Sequence, residues 1–226
     1  MHRSALSLAA LLLLAAPALH ADSPGTVARR IAAAAGIDRF HLVEHVEFTF
    51  NARIDGQSVE RSWVWWPRTR DVRFIPKDGT SVDYNRDALD ASASDELKEA
   101  DRKFVNDSYW LFFPFQVAWD DSVTLETIAP EDFTGDIRAR GGLRVSYPET
   151  GGYTPGDVYE LYYDRDFLVS EWVFRKGGGE TPTRITAWKS YEAIGPLALS
   201  LDRPATDGSD FRIWFTDLAV KSTPDG

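Results

Sequence analysis

The chain has 226 residues, a formal net charge of −10 and no cysteine. That length suits one domain with a full core. The acidity excludes nucleic acid as a partner, because neutralising phosphates needs clustered Lys and Arg; the lack of cysteine excludes disulfides and a thiol nucleophile.

Residues 1–21 read as a cleaved secretory signal peptide. MHRS is a short basic start, ALSLAALLLLAAPAL is an apolar run, and small residues follow. The run is shorter than the roughly 20 residues a membrane span needs. Ala18 and Ala21 both suit cleavage. The mature chain, 22–226, is then one domain. Lacking a cysteine to acylate, it is expected to be a free periplasmic or secreted protein without a lipid anchor.

The first mature element is a helix. Ser23-Pro24 opens it, and Gly36 stops it. Val27, Ile31 and Ala34 or Ala35 share one face. The period then becomes two. In HLVEHVEFTF, Leu42, Val46, Phe48 and Phe50 fall on one side of an expected strand, with His41, His45, Glu47 and Thr49 on the other. Asp55-Gly56 turns into SVERSWVWW. DVRFI follows, and Asp78-Gly79 is a second hairpin signal before TSVDY.

Residues 92–107 read as a helix capped by Ser94, with Leu97, Ala100 and Phe104 on one face and Asn106-Asp107 at its end. Seven strands follow: SVTLETI, GLRVSY, DVYELYY, FLVSEWVF, TRITAWKSY, LALSLD and DFRIWFTDL. Turn clusters such as YTPGD and KGGGETP separate them. The expectation is an α+β, mainly antiparallel fold: about eleven short strands in consecutive hairpins, with two helical inserts.

Chemical motifs are sparse. His41-Leu42-Val43-Glu44-His45 matches the inverted zinc-protease pattern, which works only on a helix. On a strand the two histidines lie roughly 13 Å apart at about 3.3 Å per residue, too far to share one zinc. No metal or cofactor is expected. The acidic pairs Asp120-Asp121 and Glu131-Asp132, and Asp164 with Asp166, sit at expected turns. They leave open a two-carboxylate hydrolase. No nucleophile elbow is present.

The anomaly is aromatic. FVNDSYWLFFPFQVAW, residues 104–119, holds seven aromatic residues, and the chain carries eight tryptophans. Trp63 and Trp65 share a strand face, as do Trp172 and Phe174. A sheet apolar on both faces needs a cover on each, or a guest on one.

Gly56 followed by SVERSWVWWP, the Asp78-Gly79 hairpin, the alanine-rich first helix and the FTF strand resemble the periplasmic lipoprotein carriers, the LolA/LolB-like superfamily. The resemblance is strongest over 26–84 and marks a separate branch. It implies an open half-barrel with helices on its concave face and a cavity for acyl chains. In the lipoprotein chaperone an arginine precedes the strand's proline and holds the lid shut. Here Trp66 precedes Pro67, so that closure is not implied.

Together these readings give a non-enzymatic carrier or binding protein for an apolar ligand. Its partners would be a lipid or acyl chain and a lipoprotein or membrane-bound donor or acceptor, and it would be a monomer. The helix over 94–107 is the expected lid. Trp63, Trp65, Trp172 and Trp188 are candidates for the concave floor, and Tyr109, Trp110, Phe112 and Phe115 for the cavity wall. The alternatives are a secreted carboxylate-dependent hydrolase and an interaction protein with a packed core.

Overall fold

The computed structural model describes residues 22–136, 138–151 and 153–223. The expected signal peptide, 1–21, lies outside the described residues. The first helix, α1 (Pro24–Ala35), begins where Ser23 accepts the Thr26 N–H on its hydroxyl at 3.3 Å. It buries Val27, Ala28, Ile31, Ala32 and Ala35. It ends at Gly36, whose φ is 100°. A Cβ there would stand 2.6 Å from the Pro196 carbonyl oxygen, so glycine is required by conformation and by space.

A 3-10 turn, Ile37–Leu42, precedes β1 (Val43–Ile54). This corrects the expected strand. His41 lies in the turn, with Nδ1 2.9 Å from the Asp38 carbonyl oxygen. His45 is in β1, so the two histidines of the zinc-like motif sit on different elements. A register shift between Val43 and His45 absorbs the interruption at Glu44 and buries both Val43 and Val46.

Two sheets form, both antiparallel. The larger contains β2 (Gln57–Trp66), β3 (Asp71–Ile75), β4 (Val82–Asn85), β10 (Lys189–Ile194), β11 (Leu197–Pro204) and β12 (Arg212–Ser222), in the order β10-β11-β12-β1-β2-β3-β4. The smaller runs β5-β6-β7-β8-β9, from β5 (Thr124–Ile128), β6 (Gly141–Ser146), β7 (Val158–Tyr163), β8 (Val169–Arg175) and β9 (Arg184–Ala187). The β1–β2 hairpin turns at Asp55-Gly56 with φ of 50° and 76°, the doubly positive pair that suits strand twist.

Twelve strands appear rather than eleven because TRITAWKSY divides at Trp188. β9 belongs to one sheet and β10 to the other. A bridge between Thr186 and Ala205 ties the sheets at this corner. The far edges, β4 and β5, do not pair, so the wall stays open. The second helix, α2 (Asp95–Trp119), links those two edges through the interior. The fold is therefore α+β, mostly antiparallel, an open half-barrel around helices.

α2 is the largest departure from expectation. Ser94 caps it, accepting the Leu97 N–H at 3.3 Å. It does not end at Asn106-Asp107 but continues for 25 residues, through Pro114, to Trp119. Phe104, Leu111, Phe112 and Phe115 pack toward the larger sheet, while Phe113 and Val117 join the core of the smaller one. A helix buried on two sides loses its single apolar stripe, so the periodicity fades where the helix is most deeply buried. α2 is a central pillar rather than a detachable lid ending at 107.

Candidate functional site

The expected site residues divide into two groups on opposite sides of α2. On the side of the larger sheet, Trp63 is 1% exposed and stacks on Phe74 with ring centroids 4.5 Å apart. Its Nε1 donates to Asp107 Oδ2 at 2.9 Å. Asp107 also accepts from Arg61, through Nε at 2.7 Å and Nη2 at 2.6 Å. Asp107 therefore stitches α2 to β2. Trp65 packs against Phe112 at 5.4 Å, and Phe40 joins Trp65 at 5.8 Å and Phe115 at 5.5 Å. Trp63, Trp65, Phe112 and Phe115 are thus taken up by the protein's own packing. No described cleft is lined by any of them.

The other group is less closed. Trp110 is half-buried and leans on Trp172 at 4.2 Å. Trp172 stacks on Phe113 at 5.1 Å and meets Trp188 edge-on at 5.9 Å. Tyr147 Oη donates to Tyr109 Oη at 3.4 Å. Two clefts flank Trp110. One, of about 290 Å³, is walled by Val105, Tyr109, Tyr159 and Trp172. The other, of about 260 Å³, is walled by Phe50, Val59, Phe211 and Ile213. Asn106, Trp110 and Phe174 border both. The pair forms a divided apolar groove between α2 and the two sheets, within the size range of small-ligand sites. Three other hollows, two of about 540 Å³ and one of about 320 Å³, mix apolar and charged side chains: Trp66 and Val72 with Arg73 and Asp83 in the first, Val59 and Trp214 with Arg53 and Glu60 in the second, Phe74 and Val82 with Glu99 and Lys103 in the third.

The groove's rim is tied down by polar contacts. Tyr153, on the loop between β6 and β7, donates to Asp101 Oδ2 at 2.6 Å. Arg86 Nε reaches Asp101 Oδ1 at 2.7 Å. Arg184 lies over the Phe211 ring at 3.9 Å. The expected wall residues Tyr109 and Trp110 and the floor residue Trp172 therefore meet at one place. Trp188 lies behind Trp172. Sequence reasoning missed Val105, Asn106 and Tyr159 as groove residues. The alternation in VYELYY, which puts Tyr159 and Leu161 on one face, could have found the last.

The turn carboxylates perform local work. Asp120 Oδ1 accepts the Ser122 N–H, and Asp164 Oδ1 accepts the N–H groups of Asp166 and Leu168. Two other acids, Glu160 and Glu171, are buried in the smaller sheet on the face away from α2. Glu160 accepts from Thr134 Oγ1 at 2.6 Å, Tyr162 Oη at 2.9 Å and Arg175 Nε at 3.0 Å. Burial raises its pKa, but these bonds outweigh burial and hold it below the usual range. Glu171 Oε1 has no hydrogen-bond partner among the described residues. Burial, then the charge of Asp136, pushes Glu171 up to about 7.

Glu171 gives a pH prediction. Its folded pKa exceeds the unfolded value, so the folded state holds the extra proton between about pH 4.5 and 7. This contribution to stability is complete at the acid end and is lost as pH rises through 7. Glu171→Gln removes that dependence. Its melting temperature relative to wild type should therefore rise from pH 5 to pH 8. A constant difference would refute the assignment.

No family model and no curated protein matches the sequence. Among solved structures, the chain is similar to a DUF1329 family protein from Desulfovibrio piger, with 12% identity, a TM-score of 0.47, and coverage of 88% of this chain and 94% of that one. It is also similar to a putative outer membrane lipoprotein-sorting protein domain from Vibrio parahaemolyticus, with 8% identity, a TM-score of 0.49, and coverage of 89% and 94%.

Proposed function

We propose that residues 22–226 form a single-domain, exported and non-enzymatic carrier or binding protein for an apolar ligand, a lipid or acyl chain. The observation that carries this reading is the divided apolar groove on either side of Trp110. Burying a methylene from water stabilises a complex by about 0.8 kcal/mol. Much of that cancels when the chain comes from a membrane, which suits a protein that passes its cargo on. A lipoprotein or a membrane-bound donor and acceptor are the partners this implies, with the carrier itself a monomer in the periplasm or outside the cell. Among the described residues no helix is long and apolar enough to cross a membrane. Of the turn carboxylates, Asp120 and Asp164 already satisfy backbone N–H groups, and no described cleft brings a pair of the six together.

The test uses N-phenyl-1-naphthylamine, an uncharged apolar dye. Wild type should bind it and be protected against thermal unfolding. Trp110→Gln should weaken binding at least about tenfold, a loss of about 1.4 kcal/mol, while the circular dichroism spectrum stays unchanged. Absence of dye binding to wild type, or equal binding by the variant, would remove the groove as the site.

A further inference from the structure

Behind the groove lies a charged residue without a counter-charge. Arg203 is fully buried, on the strand face of β11 that it shares with Leu199 and Leu201. Its guanidinium carbon lies 3.9 Å from the centre of the Trp188 ring and 5.1 Å from that of Phe215. Nη1 donates to the Ser200 carbonyl oxygen at 2.7 Å. Among the described residues Nε and Nη2 donate to nothing. Among the described residues no carboxylate pairs with it: its sequence neighbour Asp202 is engaged by Arg212 at 2.7 Å. Burial pulls its pKa down to about 9. An uncompensated buried charge is costly, and such a cost marks residues kept for a purpose other than stability.

The free edge has a specific shape. Nε and Nη2 are the side fork of the guanidinium, which matches the two oxygens of a carboxylate. The same chain uses this edge three times for that purpose. Arg61 holds Asp107, Arg73 holds Asp83 and Arg86 holds Asp101, each through Nε and Nη2. Two more donors without acceptors lie close by, the Nε1 groups of Trp172 and Trp188. Unlike Trp63, which Asp107 anchors, these indoles are held by packing alone. Trp172 also walls the groove. Trp172 meets Trp188, and Trp188 lies under the Arg203 guanidinium; neither Trp188 nor Arg203 lines a described cleft, so the indoles stand between the groove and the arginine.

We propose that Arg203 is the head-group site of the groove, and that the ligand is a long-chain carboxylate. Its acid seats in the free fork of Arg203, Trp172 and Trp188 turn aside and offer their N–H groups, and its tail runs past Trp172 into the groove beside Trp110. One negative charge balances the unpaired guanidinium of Arg203. This rests on the carrier reading and adds the chemical class of the cargo.

Competition against bound N-phenyl-1-naphthylamine, with dodecanoate, 1-dodecanol and acetate as competitors, tests it. Wild type should bind dodecanoate at least about tenfold more tightly than dodecanol and ignore acetate. Arg203→Met should bind dodecanol as wild type does but lose the preference for the acid. Without ligand it should melt above wild type, because it removes an unpaired buried charge. Arg203→Lys keeps the charge but not the fork, and should retain only part of the preference. Equal binding of acid and alcohol by wild type overturns the head-group site and leaves the carrier reading standing. So does a preference that survives in Arg203→Met, or a ligand-free Arg203→Met that melts below wild type, which would make the arginine a structural support. Acetate competing as well as dodecanoate overturns the role of the tail. If neither long-chain compound binds wild type, the carrier reading falls as well.

Discussion

Asp107→Ala is expected to lower folding stability by about 3–5 kcal/mol, the range for breaking a buried ion pair from one side. Asp107 is fully buried and takes two N–H groups from Arg61, one from Trp63 and one from the exposed Asn106 amide. Alanine would strand the Arg61 and Trp63 donors and remove the link between α2 and β2. Arg61 keeps 19% side-chain exposure, so it regains some water, which places the loss toward the lower end of that range. Urea unfolding measures it. The double variant Arg61→Met with Asp107→Leu should recover most of the loss, since replacing both members of a buried pair by apolar groups is often near neutral. If the single variant loses less than about 1 kcal/mol, the size of an exposed pair, Asp107 does not join the helix to the sheet.

Phe113→Ala is the second large expectation, again about 3–5 kcal/mol. Phe113 is fully buried, lies nearly parallel to Trp172 at 5.1 Å and meets Tyr159 at 5.1 Å. It is a fully buried aromatic contact by which α2 grips the smaller sheet. Its helical neighbours Leu111, Phe112 and Phe115 serve the larger sheet, so none can turn to fill the hole without abandoning its own site. Phe113→Leu keeps more of the volume and should cost clearly less. The same urea experiment compares them. Equal losses for the two variants would show that the backbone, rather than the ring, sets this contact.

Much of the strand framework is legible in the sequence because its signals are local. The Asp55-Gly56 turn, the Ser94 cap and the alternation around Phe48 act within a few residues of themselves. The misreadings occur where distant partners override local pattern. Asn106-Asp107 looks like a helix stop, yet Asp107 is satisfied inside the helix because Arg61 and Trp63 come to it from β2. Trp188 looks like one more strand residue, yet the chain changes sheets there. Of the residues expected to face a guest, Tyr109, Trp110 and Trp172 line the groove, whereas Trp63, Phe112 and Phe115 meet protein on all sides. Residue type alone does not separate these cases. The difference depends on where α2 runs, and the two-sided apolar pattern conceals that course. Arg203 was hidden in another way: it follows the alternation of Leu197, Leu199 and Leu201 but is itself the first residue of the turn-like RPATDGSD.

Pro114 sits inside α2, five residues before its end at Trp119. Having no amide hydrogen, it leaves the carbonyl of Trp110 without its ordinary partner one turn later. The rod is therefore weakest at the residue that divides the groove. Flexing there breaks one backbone bond fewer than elsewhere, while Asp101 and Asp107 clamp the part before it and Phe115 and Val117 embed the part after. On the carrier reading proposed above, a small rocking of the indole would widen the passage with both ends of the pillar still moored, so that entry would turn on one joint rather than on release of a whole helix.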